Sequence, residues 1–127
     1  TSGRRLLEEE GVRILKEQLF PLATLVTPNL PEACLLLERT CIEGRAQMES
    51  AARDLCALGP RWSLVKGGHA APGSREALDV LCDGVTGACM SFTAEMIETS
   101  HAHGTGCSLA SAIAAQLAHG ATMEAAV

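Results

Sequence analysis

The chain has 127 residues, which is enough for one domain with a modest core. Its residues are 47% hydrophobic and 20% charged, and this balance excludes an intrinsically disordered chain. Lys and Arg total 10 against 15 Asp and Glu, a formal net charge of -5, and this balance argues against a basic nucleic-acid-binding surface. No uninterrupted apolar run is long enough to cross a bilayer, so a membrane partner is not expected.

The cysteines favour a reducing, cytoplasmic setting over a disulfide or zinc framework. No two of them form a CxxC pair, the spacing typical of zinc and redox sites. Most lie among Ala and Leu, where cysteine usually acts as a small core residue. All except Cys107 are therefore predicted to be buried structural thiols, namely Cys34, Cys41, Cys56, Cys82 and Cys89.

The first part of the chain predicts two helices around a short strand. Apolar residues at helical spacing predict an amphipathic helix from Leu6 to Phe20, which Pro21 ends. The β-branched run from Ala23 to Thr27 predicts a buried strand. A helix then opens at the sequence Asn-Leu-Pro-Glu (29–32) and runs to about Glu38, because Pro suits a first helical turn and Glu favours the positive helix end.

The remaining elements follow the same kinds of signal. A loop covers 41–45, an amphipathic helix runs from Ala46 to Leu58, and a strand from Trp62 to Lys66 is broken by the glycines after it. A strand from Ala77 to Leu81, a turn at Asp83-Gly84 and a strand from Ala88 to Phe92 are then predicted to form a hairpin. An extended segment near 96–99 and helices over 107–118 and 121–127 complete the chain.

Alternation of helices and strands predicts a parallel sheet with helices on its faces. Sites in such sheets lie beyond the carboxyl ends of the strands. Asn29 and Glu32 follow one predicted strand, residues 66–69 follow a second, and residues 104–107 follow a third. We therefore expect these three segments to converge on one crevice.

The segment HGTGCS, residues 103–108, predicts an anion site. Its two glycines allow a tight turn and close approach of a ligand, and the helix after it presents free N–H groups to an anion. The segment is neither a P-loop nor a GxGxxG dinucleotide turn. Cys107 lies in the first helical turn, where thiolate character is favoured. A plain helix-capping turn is the alternative interpretation.

Four segments together resemble one known family. TLVTPNLPEA, VKGGH, ALDVLCDG and HGTGCSLASAIAAQLAHG resemble the C-terminal half of hydroxymethylpyrimidine/phosphomethylpyrimidine kinases of thiamine biosynthesis, in the ribokinase-like superfamily. The resemblance implies an α/β fold with a mostly parallel sheet and helices on both faces. It also implies that residues 1–127 form the C-terminal, ATP-side portion of the kinase domain, with the N-terminal half absent. The chain alone is therefore expected to be inactive or nearly so.

The resemblance also implies roles for the glycine turn. Cys107 matches the base that takes the proton of the substrate hydroxyl as it attacks the γ-phosphate. The backbone N–H groups of Gly104, Thr105 and Gly106 are expected to form the anion hole for the transferring phosphoryl group. His103 is expected to face the substrate, although a capping role is an equal alternative.

Asn29 and Glu32 match the NxxE motif that helps to hold the Mg²⁺ bound to ATP, often through water. The alternative is structural: Asn29 caps a helix and Glu32 interacts with the helix dipole. Lys66 is expected to neutralise ATP phosphates, while Gly67 and Gly68 permit close approach of the ligand.

The expected reaction is ATP-dependent phosphorylation of 4-amino-5-hydroxymethyl-2-methylpyrimidine and then of its monophosphate. A pyridoxal-type kinase with the same cysteine is one alternative, and a non-catalytic pyrimidine-binding or regulatory module is another. A structural zinc protein is disfavoured by the missing CxxC pairs. We further expect a cytoplasmic protein that forms a homo-oligomer when full length.

Overall fold

The computed structural model describes residues 9–69, 75–95 and 105–127. The described residues up to 95 lie in one compact unit, and those from 105 onward lie in a second. The main elements, in chain order, are α1 Glu9–Ile14, β1 Leu25–Val26, α2 Leu30–Leu37, α3 Gly44–Ala57, β2 Trp62–His69, β3 Glu76–Asp83, β4 Cys89–Glu95, α4 Thr105–Ala118 and α5 Met123–Ala126. The extended segment predicted near 96–99 lies outside the described residues.

The predicted first helix changes type along its length. Its start at Leu6 lies outside the described residues, and α1 passes into a π-helical turn over Leu15–Leu19 and a 3₁₀ turn over Phe20–Leu22. The helical path therefore continues past the predicted end at Pro21. Proline is tolerated there because the first turn of a helix does not use its backbone N–H groups.

Helix α3 supplies the main helical face of the core in the first unit. Met48, Ala51, Ala52 and Leu55 lie on one stripe of this helix and are at most 3% exposed. The stripe packs on β2 and β3, against Val65, Leu78, Val80 and Cys82. The helix predicted from Ala46 to Leu58 is thus confirmed, with an earlier start.

The four described strands form one sheet in the order β1-β2-β3-β4. β1 is parallel to β2, whereas the β2–β3 and β3–β4 pairs are antiparallel. The described sheet is therefore mixed, and the prediction of a mostly parallel sheet does not hold for this part of the fold. The reason is chain length: the segment between His69 and Glu76 is too short for the crossover that parallel neighbours require.

Both faces of the sheet carry buried side chains. Helices α2 and α3 pack on the face that carries Val65 and Val80. Leu64 and Leu81 project from the opposite face, because successive strand residues alternate, and they are at most 1% exposed.

β3 and β4 form the predicted hairpin, and Asp83 organises its turn. One carboxylate oxygen of Asp83 accepts the N–H of Val85 at 2.9 Å and Nε of Arg61 at 3.1 Å. The other accepts the hydroxyl of Thr86 at 3.1 Å. The Val85 N–H, with Arg61 and Thr86, lowers the pKa of Asp83 below its usual value.

The second unit contains the two helices predicted at the end of the chain. α4 is followed by Gly120 in the left-handed region at φ 89°. The hydroxyl of Thr122 then caps α5 by accepting the N–H of Ala125 at 3.3 Å. No helix in the described part of the chain is long and apolar enough to span a membrane.

All six cysteines are free thiols. Burial raises the pKa of Cys82 to about 12, and the neighbouring Cys89 thiol contributes to the rise. Cys82 thus fits the predicted structural role. Cys41 is exposed, so its predicted burial is wrong: it lies in the connection between α2 and α3, and connections run over the surface.

Candidate functional site

The carboxyl ends of β1 and β2 bring Asn29 and Lys66 together. The two strands are parallel, with Leu25 opposite Trp62. Beyond the end of β1, the carbonyl of Pro28 accepts the N–H of Lys66 at 2.9 Å, and Asn29 forms an isolated parallel bridge with Lys66. Two of the three predicted segments therefore meet at one edge of the sheet.

Asn29 and Glu32 form a reciprocal capping box at the start of α2. Oδ1 of Asn29 accepts the N–H of Glu32 at 2.9 Å, and Oε2 of Glu32 accepts the N–H of Asn29 at 2.9 Å. The structural interpretation of this motif is thus confirmed. The capping box uses Oε2 of Glu32, while Oε1 of Glu32 has no hydrogen-bond partner among the described residues.

Lys66 is half-buried, with its backbone anchored to the segment after β1. Its ammonium group makes no ion pair or hydrogen bond to another side chain in the ranges that the structure covers. Asp79, its cross-strand partner, supplies a negative charge nearby. The Lys66 ammonium is therefore available to an anionic ligand.

The glycines after Lys66 form a β-bulge and do not break the strand. β2 continues to His69, and its register with β3 shifts between Lys66 and His69. A Cβ at Gly67 would collide with the carbonyl oxygen of Leu78 and would lie 2.6 Å from Cε of Met48. Only glycine fits here, because the backbone of β2 lies directly against both neighbours.

Asp79 is the site residue that the sequence reasoning missed. Its Oδ1 accepts the N–H of Gly67 at 3.0 Å. Burial raises the pKa of Asp79, while the Gly67 N–H and the charge of Lys66 act in the opposite direction. One feature of the sequence could have indicated this role. Asp79 stands between the apolar residues Leu78 and Val80, in a strand whose neighbouring residues are typical of a buried core.

The glycine turn belongs to the second unit. Thr105 begins α4, Gly106 is half-buried, and Cys107 is exposed in the first helical turn. His103 and Gly104 lie outside the described residues. The convergence of this turn on Asn29 and Lys66 stays a prediction.

The whole chain, residues 1–127, matches the family model described as phosphomethylpyrimidine kinase. The chain belongs to this family. It is 49% identical over 125 residues to the hydroxymethylpyrimidine/phosphomethylpyrimidine kinase of Mycobacterium tuberculosis, a match that covers 98% of the chain and 44% of the relative. The chain thus spans less than half the length of this relative.

Solved structures show the same family relationship and the ribokinase-like α/β class. The pyridoxal kinase from Staphylococcus aureus in complex with AMP-PCP and pyridoxal matches with a TM-score of 0.87 and 31% identity, covering 98% of this chain and 45% of that one. The phosphomethylpyrimidine kinase from Clostridium difficile 630 matches with a TM-score of 0.76 and 32% identity, covering 100% of this chain and 48% of that one. The predicted family and fold class are confirmed.

Proposed function

We propose that the protein uses ATP to phosphorylate 4-amino-5-hydroxymethyl-2-methylpyrimidine and then its monophosphate, for thiamine biosynthesis. In this proposal residues 1–127 form the C-terminal, ATP-side portion of a ribokinase-like kinase domain. The observation that carries the proposal is the pairing of Asn29 with Lys66 at the carboxyl edge of β1 and β2. Membership of the phosphomethylpyrimidine kinase family supports the choice of reaction.

The phosphate chain of ATP is proposed to bind beside Lys66. The ammonium group of Lys66 is proposed to neutralise phosphate charge as a point charge. It is available for this role because no side chain in the described ranges forms an ion pair or hydrogen bond with it. Gly68 is proposed to let the nucleotide approach the backbone of β2 closely, whereas the space beside Gly67 is filled by Leu78 and Met48, which corrects the expectation for Gly67. The AMP-PCP complex of the pyridoxal kinase from S. aureus is consistent with a nucleotide site in this fold.

The residues near Lys66 fit an Mg²⁺ ion held mainly by ATP and water. The described residues contain no group of three or more His, Cys, Asp and Glu that could hold a metal. Glu32 offers Oε1, while the Asn29 amide oxygen already caps α2. Mg²⁺ typically takes one or two carboxylates together with phosphates and keeps several waters, so Glu32 is proposed as its protein partner, with Asn29 supporting it. When bound, the ion neutralises phosphate charge during transfer.

The chemical step is proposed to use Cys107 as the base. Its thiolate takes the proton from the hydroxymethyl oxygen as this oxygen bonds to the γ-phosphorus, and the bond from phosphorus to the bridging oxygen of ADP breaks. Backbone N–H groups of Gly104, Thr105 and Gly106 are proposed to stabilise charge on the transferring phosphoryl oxygens. His103 is proposed to contact the substrate.

The test is transfer of the γ-phosphate of ATP by the full-length protein that carries this sequence. The pyrimidine alcohol, its monophosphate and pyridoxal are supplied as separate acceptors, and kcat/KM is measured for each. The proposal predicts the highest kcat/KM for the two pyrimidines. Comparable or faster turnover of pyridoxal would contradict it and favour a pyridoxal kinase, the alternative supported by the TM-score of 0.87 to the pyridoxal kinase from S. aureus.

Pyrimidine binding without transfer to any acceptor would instead indicate a regulatory module.

The free thiols are consistent with the proposed cytoplasmic location, which fractionation tests. A homo-oligomer of the full-length protein is likewise proposed, and light scattering tests it.

A further inference from the structure

The bulge after Lys66 is held by the carboxylate of Asp79, which lies in the segment ALDVLCDG but to which the sequence assigns no role. The N–H of Lys66 points toward β1, where it bonds to Pro28. The N–H of the next residue, Gly67, therefore points toward β3. There it meets Oδ1 of Asp79 at 3.0 Å, so a side-chain oxygen takes the place of a backbone carbonyl in the ladder.

Asp79 lies in an unusual position for a charged side chain. It is half-buried, on the sheet face that also carries Leu64 and Leu81, which are 0% and 1% exposed. Burying a carboxylate is costly unless a hydrogen bond or an opposite charge compensates. Here the compensation comes from Gly67 and Lys66, the residues proposed to receive the nucleotide.

We propose that Asp79 is a positioning residue for nucleotide binding, whose carboxylate fixes the Gly67 bulge and so directs the Lys66 ammonium toward the phosphate chain of ATP. This inference rests on the proposed function, because it takes ATP as the ligand at this edge of the sheet. Asp79 acts through Lys66 and does not contact the nucleotide.

The geometry explains why such a residue is needed. Lysine carries its charge on a flexible four-carbon stem, so the position of its backbone decides where the ammonium can reach. Pro28 anchors this backbone on the β1 side and Asp79 anchors it on the β3 side. Asp79 makes no salt bridge to Lys66 within 4.0 Å, so the ammonium stays free for phosphate.

The test is a double-mutant cycle on ATP affinity, measured by calorimetry with the full-length protein that carries this sequence. Asp79→Ala is expected to weaken ATP binding about tenfold, because a Lys66 ammonium that is no longer directed at the phosphates loses its charge-assisted hydrogen bond to them. Lys66→Ala is expected to weaken it at least as much. The double variant should bind ATP about as weakly as Lys66→Ala alone, since both changes remove one interaction.

Two further variants keep the test decisive if Asp79→Ala does not fold. Asp79→Asn leaves an acceptor oxygen in place and is expected to bind ATP within about threefold of the wild type. Asp79→Glu moves the carboxylate by one methylene and should bind ATP as weakly as expected for the alanine variant. Asp83→Asn is the matched control on the same face of β3, because Asp83 organises the hairpin turn, and it should leave ATP affinity unchanged.

The proposal would be overturned if Asp79→Ala weakened ATP binding by the same factor in the wild-type protein and in the Lys66→Ala variant. Equal ATP affinity of the Asn and Glu variants would overturn it as well. A wild-type protein that binds ATP but does not phosphorylate the pyrimidine rejects the proposed substrate alone. A wild-type protein that binds no ATP rejects both the proposed function and the role of Asp79.

Discussion

The capping box at the start of α2 allows the structural and nucleotide-binding roles of Asn29 to be separated. Asn29→Ala removes the hydrogen bond from the N–H of Glu32 to Oδ1. The reciprocal bond survives, because its donor is the backbone N–H of residue 29. Half of the box is therefore lost, and the free energy of unfolding should fall by about 1 kcal/mol, in the middle of the range for N-cap removal.

Asn29→Asp is the matched variant. Aspartate caps helices as well as asparagine does, so the free energy of unfolding should stay within about 0.5 kcal/mol of the wild type. The new negative charge lies beside Lys66 and the proposed phosphate site, so ATP affinity should fall. The pair of variants therefore separates a loss of stability from a loss of nucleotide binding.

Urea denaturation followed by circular dichroism measures the stability of both variants, with an unchanged m-value as the check on the comparison. A loss of roughly 1 kcal/mol should also lower Tm by a few degrees for a domain of this size. If Asn29→Ala leaves the urea midpoint of unfolding unchanged, the capping box does not stabilise α2. If Asn29→Asp binds ATP as the wild type does, Asn29 does not lie near the phosphates.

Cys107, Gly67 and Asp79 each give one further testable outcome. Cys107→Ala should lower kcat about 10²- to 10⁴-fold and leave ATP affinity unchanged. Cys41 is the other exposed thiol, and Cys41→Ala should leave kcat unaltered. Equal kcat values for the two variants would show that Cys107 is not the base. Gly67→Ala should destabilise the fold by about 1–3 kcal/mol and weaken ATP binding, because its Cβ meets Leu78 and Met48; a wild-type Tm would contradict the tight fit. Burial raises the pKa of Asp79 in the folded protein, so the folded state holds its proton more tightly and stability falls as pH rises through this pKa. Relative to Asp79→Asn, the wild type should therefore lose stability as the pH rises above about 4, the pKa of an unperturbed Asp, and a pH-independent difference in the free energy of unfolding would refute the shift.

Local chemistry made much of the fold predictable. The Pro and Glu after Asn29 mark a helix start whatever the surrounding fold, because the motif satisfies its own backbone groups. The turn at Asp83 likewise depends on bonds made within a few residues. Both features appear where the sequence predicts them.

Three features that depend on the pairing of β2 with β3 were not predicted. A glycine pair after a strand gives the same pattern whether the strand ends or bulges, and the register with β3 decides between them. Asp79 gains its importance from Gly67, a contact made across two strands. The antiparallel pairing of β2 and β3 follows from a short connection, which outweighs the overall alternation of helices and strands.

The placement of ATP beside Lys66 can be tested by comparing the chain's two lysines in one binding experiment. Lys66 lies at the proposed phosphate site, beside Asn29 at the start of α2. Lys16 instead forms an ion pair at 3.3 Å with Glu38, which follows the opposite end of that helix. Calorimetric titration with ATP should show at least a tenfold loss of affinity for Lys66→Ala, as expected when a charged hydrogen bond to phosphate is removed, and no change for Lys16→Ala. Equal ATP affinity of the two variants would contradict the placement of the nucleotide at the edge formed by β1 and β2.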